Sequence, residues 1–331
     1  MYLQTLSEGS IANACSGNFP REGVSPRNTR LRGQSIIEYV LIIAIIVLVV
    51  LIAGPWVSSA IRNQFNTVAS AIGSGTTGEN FYEPVDISDP ENGTAFAVYS
   101  EDDDSLMFYK RRGAPKVGEM FNYRRVTEVY AGFESEKYVN LNGDKRSEWY
   151  RQVPNTPWWS VRNAVRTVKV VDGGIAPASI DYWFYQMESL SSIDVQKLDT
   201  SRCSDFFLTF GCCNSLASID VSTWSTQSLT KLNGTFLGCR RMTSLNLGGW
   251  ETSNVVSFHC LFHGCRAMSD SAMQAAIDQL EITENATDFN LMFEGCYNLN
   301  LDCSNWNVCA DAYHDRFNNV APGVILPRAW Q

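Results

Sequence analysis

Three hydrophobic patterns divide the chain. Residues 36–53 form an apolar run that is interrupted only by Glu38 and Tyr39. Residues 95–99 and 106–110 are short β-prone runs on either side of an acidic turn, and they predict a hairpin. Beyond about residue 183 an apolar alternation recurs at a nearly fixed interval, which predicts stacked repeats. The pattern thus predicts an N-terminal helix, a small mixed region and a repeat region.

The apolar run predicts a membrane span. Its 18 residues would form a helix of roughly 27 Å, close to the thickness of a bilayer core. Four arginines precede it, at positions 21, 27, 30 and 32, so the positive-inside rule places residues 1–33 in the cytoplasm and the rest outside. A buried core helix and a signal peptide are the alternatives, but the run is apolar on every face and too long for a signal peptide.

The start of this run contains a short motif around an acidic residue. Gly33 and Gln34 precede the pair Glu38-Tyr39, and residues 61–73 continue as an amphipathic stretch. These features resemble Flp-type (type IVb, tight-adherence) pilins. The resemblance implies that a prepilin peptidase cuts between Gly33 and Gln34. It also implies that Glu38 and Tyr39 act in filament assembly, with Glu38 neutralising the amino terminus of a neighbouring pilin subunit. Snorkelling of Glu38 to the membrane interface is the alternative.

The motif aromatic-x-x-Cys recurs in four units. Its members are Phe210 and Cys213, Phe236 and Cys239, Phe262 and Cys265, and Phe293 and Cys296. The phenylalanines are 26, 26 and 31 residues apart. A unit of this length cannot bury its own apolar side, so the spacing predicts a solenoid in which these side chains form ladders. The longer interval has helical spacing over residues 269–282, with Ser269 or Asp270 as the cap.

These repeats resemble the BspA-like leucine-rich repeat surface proteins of bacteria, over about residues 95–330. The resemblance implies an adhesion or recognition scaffold. The predicted fold class is α/β: a transmembrane pilin-like helix, a small α+β cap region and a leucine-rich-repeat-like solenoid with a 26-residue period. The predicted domains are a cytoplasmic leader (1–33), the helix (34–72), a linker (73–80), the cap region (81–182) and the solenoid with its C-terminal cap (183–331).

Composition and motifs exclude several functional classes. The formal net charge of −9 argues against nucleic-acid binding, which requires a basic face. The sequence contains no nucleophile elbow, phosphate loop or dinucleotide fingerprint, so we predict no enzyme and no cofactor. A carboxylate pair of the glycosidase type has no fixed spacing and stays open.

Two clusters raise the question of a metal. The segment from His259 to Cys265 superficially suggests zinc, but Cys265 already belongs to the repeat. The turn at residues 102–104 lacks the calcium-loop pattern. We therefore predict no metal. The motif cysteines are expected to form a buried ladder, with disulfides between neighbouring units as the alternative.

The predicted function is that of a pilus-associated, membrane-inserted surface protein, a minor pilin or pseudopilin-like subunit whose solenoid recognises a protein or glycan. Its partners would be membrane lipid, pilin subunits, the prepilin peptidase and that ligand. Its predicted location is the cell membrane, with a single pass and an extracellular C-terminal domain. Alternation places the binding face at Ser218, Asp220, Ser222, Ser244, Asn246 and Gly248. The alternative is an unprocessed anchored protein whose repeats are a spacer.

Overall fold

A computed structural model describes residues 93–141, 153–297, 299–319 and 323–331. Within these ranges lie nine β-strands, one α-helix and two single-turn 3₁₀ helices, at Trp159–Val161 and Arg328–Trp330. The strands are β1 (Thr94–Ser100), β2 (Ser105–Arg111), β3 (Met120–Phe121), β4 (Arg124–Arg125), β5 (Glu128–Ala131), β6 (Thr167–Val170), β7 (Ser192–Asp194), β8 (Ser218–Asp220) and β9 (Ser244–Asn246); the helix is α1 (Asp270–Ile277).

The largest sheet has the strand order β5-β1-β2-β6-β7. Strands β1 and β2 pair antiparallel in full register, which confirms the predicted hairpin. Both faces of β1 are covered, because Ala97 and Tyr99 join the main core while Phe96 and Val98 join a smaller cluster. This double burial explains why β1 is an almost continuous apolar run.

A cluster of four aromatic rings fills the core beneath this sheet. The Phe108 ring lies parallel to Trp183 at 5.3 Å between centroids, and it meets Trp158 edge-on at 5.1 Å and Phe133 edge-on at 5.7 Å. The indole N–H of Trp158 donates to the carbonyl oxygen of Trp183 at 2.6 Å. The buried polar edge of this tryptophan is thereby satisfied, as burial requires.

The repeated motifs lie in turns that pack side by side. We call residues 180–187, 206–213, 232–239, 258–265 and 289–296 the aromatic turns. Their phenylalanine rings stack in sequence: Phe184 on Phe210 at 5.3 Å, Phe210 on Phe236 at 5.6 Å, Phe236 on Phe262 at 5.9 Å, and Phe262 on Phe293 at 5.9 Å. One ring of each unit therefore covers the ring of the next.

Backbone hydrogen bonds join neighbouring aromatic turns at every second residue. The N–H groups of Leu208 and Phe210 donate to the carbonyls of Asn233 and Thr235 in the next unit, at 3.1 and 2.9 Å. The intervening N–H of Thr209 bonds within its own turn, to Phe206. Successive N–H groups thus alternate between an acceptor in the next unit and an acceptor in their own turn. The buried backbone donors are thereby hydrogen-bonded.

Each aromatic turn contains two left-handed residues four positions apart. In the turn 206–213 these are Leu208 (φ 51°) and Cys212 (φ 61°), and the equivalents in the next unit are Gly234 and Gly238. The left-handed conformation costs a non-glycine residue about 1–2 kcal/mol. The unit tolerates it at Leu208 because the interunit hydrogen bonds fix the turn.

Helix α1 occupies the longer interval between the third and fourth motifs. Its N-cap is Ser269, whose side chain accepts a hydrogen bond from the N–H of Ala272, so the predicted cap is confirmed; the predicted helix over residues 269–282 is confirmed only as far as Ile277. Side chains of this segment take the place of the backbone groups of a neighbouring strand. The Gln279 amide oxygen accepts a hydrogen bond from the N–H of Leu247 at 2.9 Å. The Gln274 amide bonds both backbone groups of Asp302.

The predicted fold class is wrong. In the part of the chain that the structure describes, only α1 is an α-helix, and the strands fall into three small sheets instead of one continuous repeat sheet. The two left-handed residues of each aromatic turn interrupt the extended backbone, and strands β7, β8 and β9 have only three residues each. An α/β leucine-rich-repeat solenoid built from regular strand-and-helix units is therefore not what the described residues form.

The predicted location in the cell membrane is also corrected. No helix among the residues placed by the structure is long and apolar enough to cross a bilayer. The predicted leader, pilin-like helix and linker at residues 1–80, with Gly33, Gln34, Glu38 and Tyr39, lie outside the described residues. The boundaries of the cap region (81–182) and the repeat region (183–331) stay predictions.

Candidate binding surface

The predicted binding face lies on β8, β9 and the turns that follow them. Its residues are Ser218, Asp220, Ser222, Ser244, Asn246 and Gly248. The strands run parallel, with Ser218 opposite Ser244 and Asp220 opposite Asn246. These four are exposed, whereas Ser222 and Gly248 are half-buried. The structure thus brings the six residues together in two adjacent rows, which we call the polar strand face.

Hydrogen bonds hold the polar strand face in a fixed arrangement. Asp220 Oδ1 accepts from the N–H and hydroxyl of Ser222, at 3.1 and 2.7 Å, and from the Asn246 amide at 3.2 Å. Asn246 Oδ1 in turn accepts from the N–H of Gly248. The Ser222 hydroxyl, followed by its N–H, lowers the pKa of Asp220. The carboxylate is consequently charged at neutral pH.

Buried side chains support this face from below. Ile219 and Leu245 point into the core from the centres of β8 and β9. Behind them, the indole N–H of Trp224 donates to the carbonyl of Val195, and that of Trp250 donates to the carbonyl of Val221, at 3.0 and 2.9 Å. Each tryptophan therefore ties its own unit to the preceding one.

A second pair of strands, β6 and β7, presents charged residues in register. Lys169 lies opposite Asp194, and the two side chains form an ion pair at 3.0 Å. Each side chain is nearly half exposed, so the pair contributes little to stability. Its charges remain accessible to a ligand.

The motif cysteines are buried thiols with a common hydrogen-bonding partner. Cys213, Cys239, Cys265 and Cys296 are free. Each thiol donates to the carbonyl of the motif phenylalanine one unit earlier, at 3.0–3.2 Å. Burial raises the pKa of Cys239 and Cys296 to about 12. Cysteine suits this position because it is small, apolar and still able to donate a hydrogen bond.

We expect native-state alkylation to separate Cys309 from these thiols. Cys309 is exposed, whereas Cys239 is buried and its thiolate is disfavoured. Because the thiolate is the reactive form, iodoacetamide should modify Cys239 about tenfold or more slowly than Cys309. Peptide mass spectrometry after timed quenching measures both rates in one sample, and denatured protein is the control. Equal native rates would contradict the buried thiol ladder.

The histidines of the segment 259–265 do not make the contacts expected of zinc ligands. His259 forms an ion pair with Asp288, with Nδ1 and Oδ1 3.5 Å apart. His263 is 6% exposed, and no residue in the described part of the chain forms a hydrogen bond with its Nδ1. Among the residues described, no group of three or more His, Cys, Asp or Glu side chains is arranged to hold a metal ion.

The acidic turn between β1 and β2 is tied to basic and backbone groups. Asp103 pairs with Arg124, and Asp104 pairs with Arg166 at 3.0 Å. Asp102 accepts from the N–H of Arg125 at 2.7 Å. These contacts fix the turn against its neighbouring segments.

Three further surface residues were not singled out from the sequence. Arg240, Arg266 and Tyr297 each follow a motif cysteine directly. The repeat spacing could have identified them from the sequence, because it places these positions in register. It was missed because the position carries different residue types in different units.

Comparison with known families gives a match over the repeated part of the chain. Residues 178–306 and 269–320 match the model of a family described as "Mycoplasma protein of unknown function, DUF285". The chain is similar to that family over this region. No curated protein and no solved structure matches the chain.

The comparison overturns the resemblance to a Flp-type pilin fused to a BspA-like repeat protein. The match lies on a family of unknown function, and that family is not a pilin family. The pilin motif rested on a few residues near Gly33, and so short a motif carries a high risk of a false match. The predictions of a Flp pilin, a type IV pilus component, a transmembrane helix and a solenoid are therefore wrong: the matched family is not a pilin family, and the described residues form neither a membrane-spanning helix nor a regular solenoid.

Proposed function

We propose that this chain is a non-enzymatic recognition module that binds a protein or glycan through the polar strand face. The observation that supports the proposal is the in-register display of Asp220 and Asn246 beside the exposed hydroxyls of Ser218 and Ser244. These groups offer donors and acceptors at a fixed spacing. They are suited to a ligand rich in hydroxyl or amide groups.

Rigidity of the face favours binding over a purely structural role. The hydrogen bonds from Ser222 and Asn246 to Asp220 order the polar groups before a ligand arrives. The indole bonds of Trp224 and Trp250 fix the backbone beneath them. Preorganised groups lose less conformational entropy on binding, so a modest number of hydrogen bonds is enough for specific recognition.

The test uses the full chain in a screen of immobilised glycans and proteins. The double variant Ser218→Arg/Ser244→Arg places two bulky side chains on the polar strand face. The matched control, Gln227→Arg/Asn254→Arg, adds the same charge at exposed positions of the same two units. We expect the first variant to lose binding by about tenfold or more, because blocked central contacts dominate binding energy. We expect the control to bind as the parent chain does.

Two outcomes would overturn the proposal. A parent chain that binds no ligand in the screen would support the alternative that the repeats are a spacer. Equal loss in both double variants would show that added charge, and not the polar strand face, determines binding. Thermal unfolding of each variant verifies that the fold is retained.

A further inference from the structure

The polar strand face continues onto the two preceding strands. Strands β6 and β7 pair parallel, with Thr167 opposite Ser192 and Lys169 opposite Asp194. The first and third residues of β6, β7, β8 and β9 therefore form two rows of side chains. The first row is Thr167, Ser192, Ser218 and Ser244, and the second row is Lys169, Asp194, Asp220 and Asn246. We call the polar strand face together with the residues that β6 and β7 add the extended polar face.

Side chains join the two strand pairs into one surface. The Thr223 hydroxyl, in the turn after β8, donates to the carbonyl oxygen of Gln196, in the turn after β7, at 2.6 Å. The Gln196 side chain in turn hydrogen-bonds the Asp220 carboxylate. Because neighbouring strands lie about 4.8 Å apart, the three intervals between four strands span roughly 14 Å. The extended polar face is thus long enough to contact more than one monomer of a polymer.

The residues between the two rows direct both rows toward solvent. The central residues of the four strands pack in or against the hydrophobic core; they are Val168, Ile193, Ile219 and Leu245. Successive side chains of a strand point to opposite faces. The first and third residues therefore point away from the core, and most of them are exposed: Lys169, Ser192, Ser218, Asp220, Ser244 and Asn246.

The charges of the extended polar face are largely met within the face itself. Lys169 pairs with Asp194 at 3.0 Å. Asp220 accepts hydrogen bonds from the Ser222 hydroxyl and from the Asn246 amide. An uncharged ligand therefore meets a face whose ions already have partners. An acidic polysaccharide is disfavoured, because the net charge of −9 that argues against nucleic acid repels any polyanion.

The extended polar face offers hydrogen-bond donors and acceptors side by side. The serine and threonine hydroxyls can donate and accept, the ammonium of Lys169 and the amide of Asn246 donate, and the carboxylates of Asp194 and Asp220 accept. A sugar ring carries hydroxyl groups on adjacent carbons. Each of these hydroxyls can donate to a carboxylate while it accepts from an ammonium, amide or hydroxyl group. The face therefore matches a ligand whose hydroxyl groups recur along its length.

The spacing of the rows favours a polysaccharide over a peptide. Members of a row recur at about 4.8 Å, whereas side chains on one face of an extended peptide recur at about 6.6–6.8 Å. The side chains of a peptide that lies along the rows would therefore fall out of register with them. Sugar hydroxyl groups leave each ring in several directions, so a polysaccharide does not depend on one side-chain spacing.

We propose that the extended polar face binds a neutral, linear polysaccharide that lies along the two rows and across the four strands. This inference rests on the proposed function, because it names the ligand class of the same site and adds β6 and β7 to that site. The hydroxyl row contacts one side of the polymer, and the row from Lys169 to Asn246 contacts the other side.

The test measures binding of the full chain to soluble polymers by titration calorimetry. The neutral probes are dextran, pullulan and a mixed-linkage β-glucan, and the charged probes are polygalacturonate and poly-L-lysine. Oligosaccharides of increasing length, cut from the polymer that binds, measure how much of the face the ligand covers. The variant Ser192→Arg blocks the first row at β7. The matched control, Ser201→Arg, adds the same side chain at an exposed position of the same unit.

We expect saturable binding of at least one neutral polymer. The affinity should rise with oligosaccharide length until the oligomer covers all four strands, and then level off. It should change by less than about twofold with added salt, because an uncharged ligand forms no ion pairs. Ser192→Arg should weaken binding by about tenfold or more, whereas Ser201→Arg should bind as the parent chain does. The length and salt dependences use the parent chain, so they test the proposal even where Ser192→Arg does not fold.

The outcomes separate this inference from the proposed function. Tighter binding of a protein from the screen, of polygalacturonate or of poly-L-lysine would overturn the inference, and the proposed function would stand if Ser218→Arg/Ser244→Arg abolished that binding. Equal loss in Ser192→Arg and Ser201→Arg would overturn the extension of the site onto β7. A parent chain that binds neither these polymers nor any ligand of the screen would overturn both proposals.

Discussion

Replacement of Phe236 by alanine is expected to lower the free energy of unfolding by about 3–5 kcal/mol. The Phe236 ring is fully buried, and it stacks between Phe210 at 5.6 Å and Phe262 at 5.9 Å. The ring of Trp250 lies on the same ring at 6.5 Å. Its removal opens a cavity that contacts three units, and rigid stacked rings cannot collapse into it.

Urea unfolding monitored by tryptophan fluorescence measures this loss. Tyr123→Ala is the control, because its side chain is 99% exposed and its loss should change the unfolding free energy by no more than about 0.5 kcal/mol. A Phe236→Ala protein that loses less than about 1 kcal/mol would contradict the stacked arrangement of the aromatic turns. Phe236→Leu should fall between the two, because it leaves a smaller cavity.

Replacement of His263 by leucine is expected to make the protein more resistant to acid. Burial, helped by the positive charges of Arg316, His259 and Arg266, lowers the pKa of His263 from 6.5 to about 3. The folded state therefore holds His263 neutral while the unfolded chain binds a proton below pH 6.5. Stability from this group is present above pH 6.5 and is lost as the pH falls toward 3, at up to about 1.4 kcal/mol per pH unit.

The ion pair between His259 and Asp288 should not obscure the loss of stability from His263 between pH 6.5 and 4.5. Burial alone would lower the pKa of His259, but Cys260 and the hydrogen bond to Asp288 raise it to about 10, so His259 stays charged in this window. The pKa of Asp288 is lowered below 3.8 in spite of its burial, because His259 hydrogen-bonds and attracts its charged form. Asp288 therefore titrates at lower pH.

Denaturant unfolding at pH 7 and pH 4.5 checks the His263 prediction. Between these values the parent chain should lose about 2–3 kcal/mol more than His263→Leu does. Leucine is a suitable replacement because Leu237 occupies the equivalent position one unit earlier and is buried there. The reciprocal variant, Leu237→His, should gain a similar acid sensitivity. Identical pH dependence in the parent and His263→Leu would contradict the buried neutral state.

The sequence predicted local elements better than the fold class. The β1–β2 hairpin followed from two apolar runs and an acidic turn, and α1 followed from helical spacing after Ser269. These signals are local, because the side chains that create them lie within one element. The fold class depended on backbone conformations that the pattern does not encode. Leu208 and Cys260 adopt positive φ although neither residue type favours it.

The polar strand face illustrates what alternation can and cannot predict. Alternation placed Ser218, Asp220, Ser244 and Asn246 on one side of two strands, and the structure finds them exposed and in register. Alternation did not predict that the side chain of Gln279 would accept the hydrogen bond from Leu247 in place of a strand. A single side-chain amide that replaces a backbone group produces no periodic pattern in the sequence. The shared position of Arg240, Arg266 and Tyr297 was missed for another reason, because it carries different residue types in different units.

The side-chain donors of this protein suggest how chains of this kind change length. The thiol of Cys239, the hydroxyl of Thr235 and the indole of Trp250 each donate to a carbonyl 29 residues earlier. Insertion or loss of one whole 26-residue segment would leave each of these donors with an equivalent carbonyl as its acceptor. A change by part of a segment would leave the thiol, the hydroxyl and the indole N–H without their acceptors at the same time. Natural variation in length is therefore expected to proceed in complete periods, with extra residues tolerated where α1 now stands.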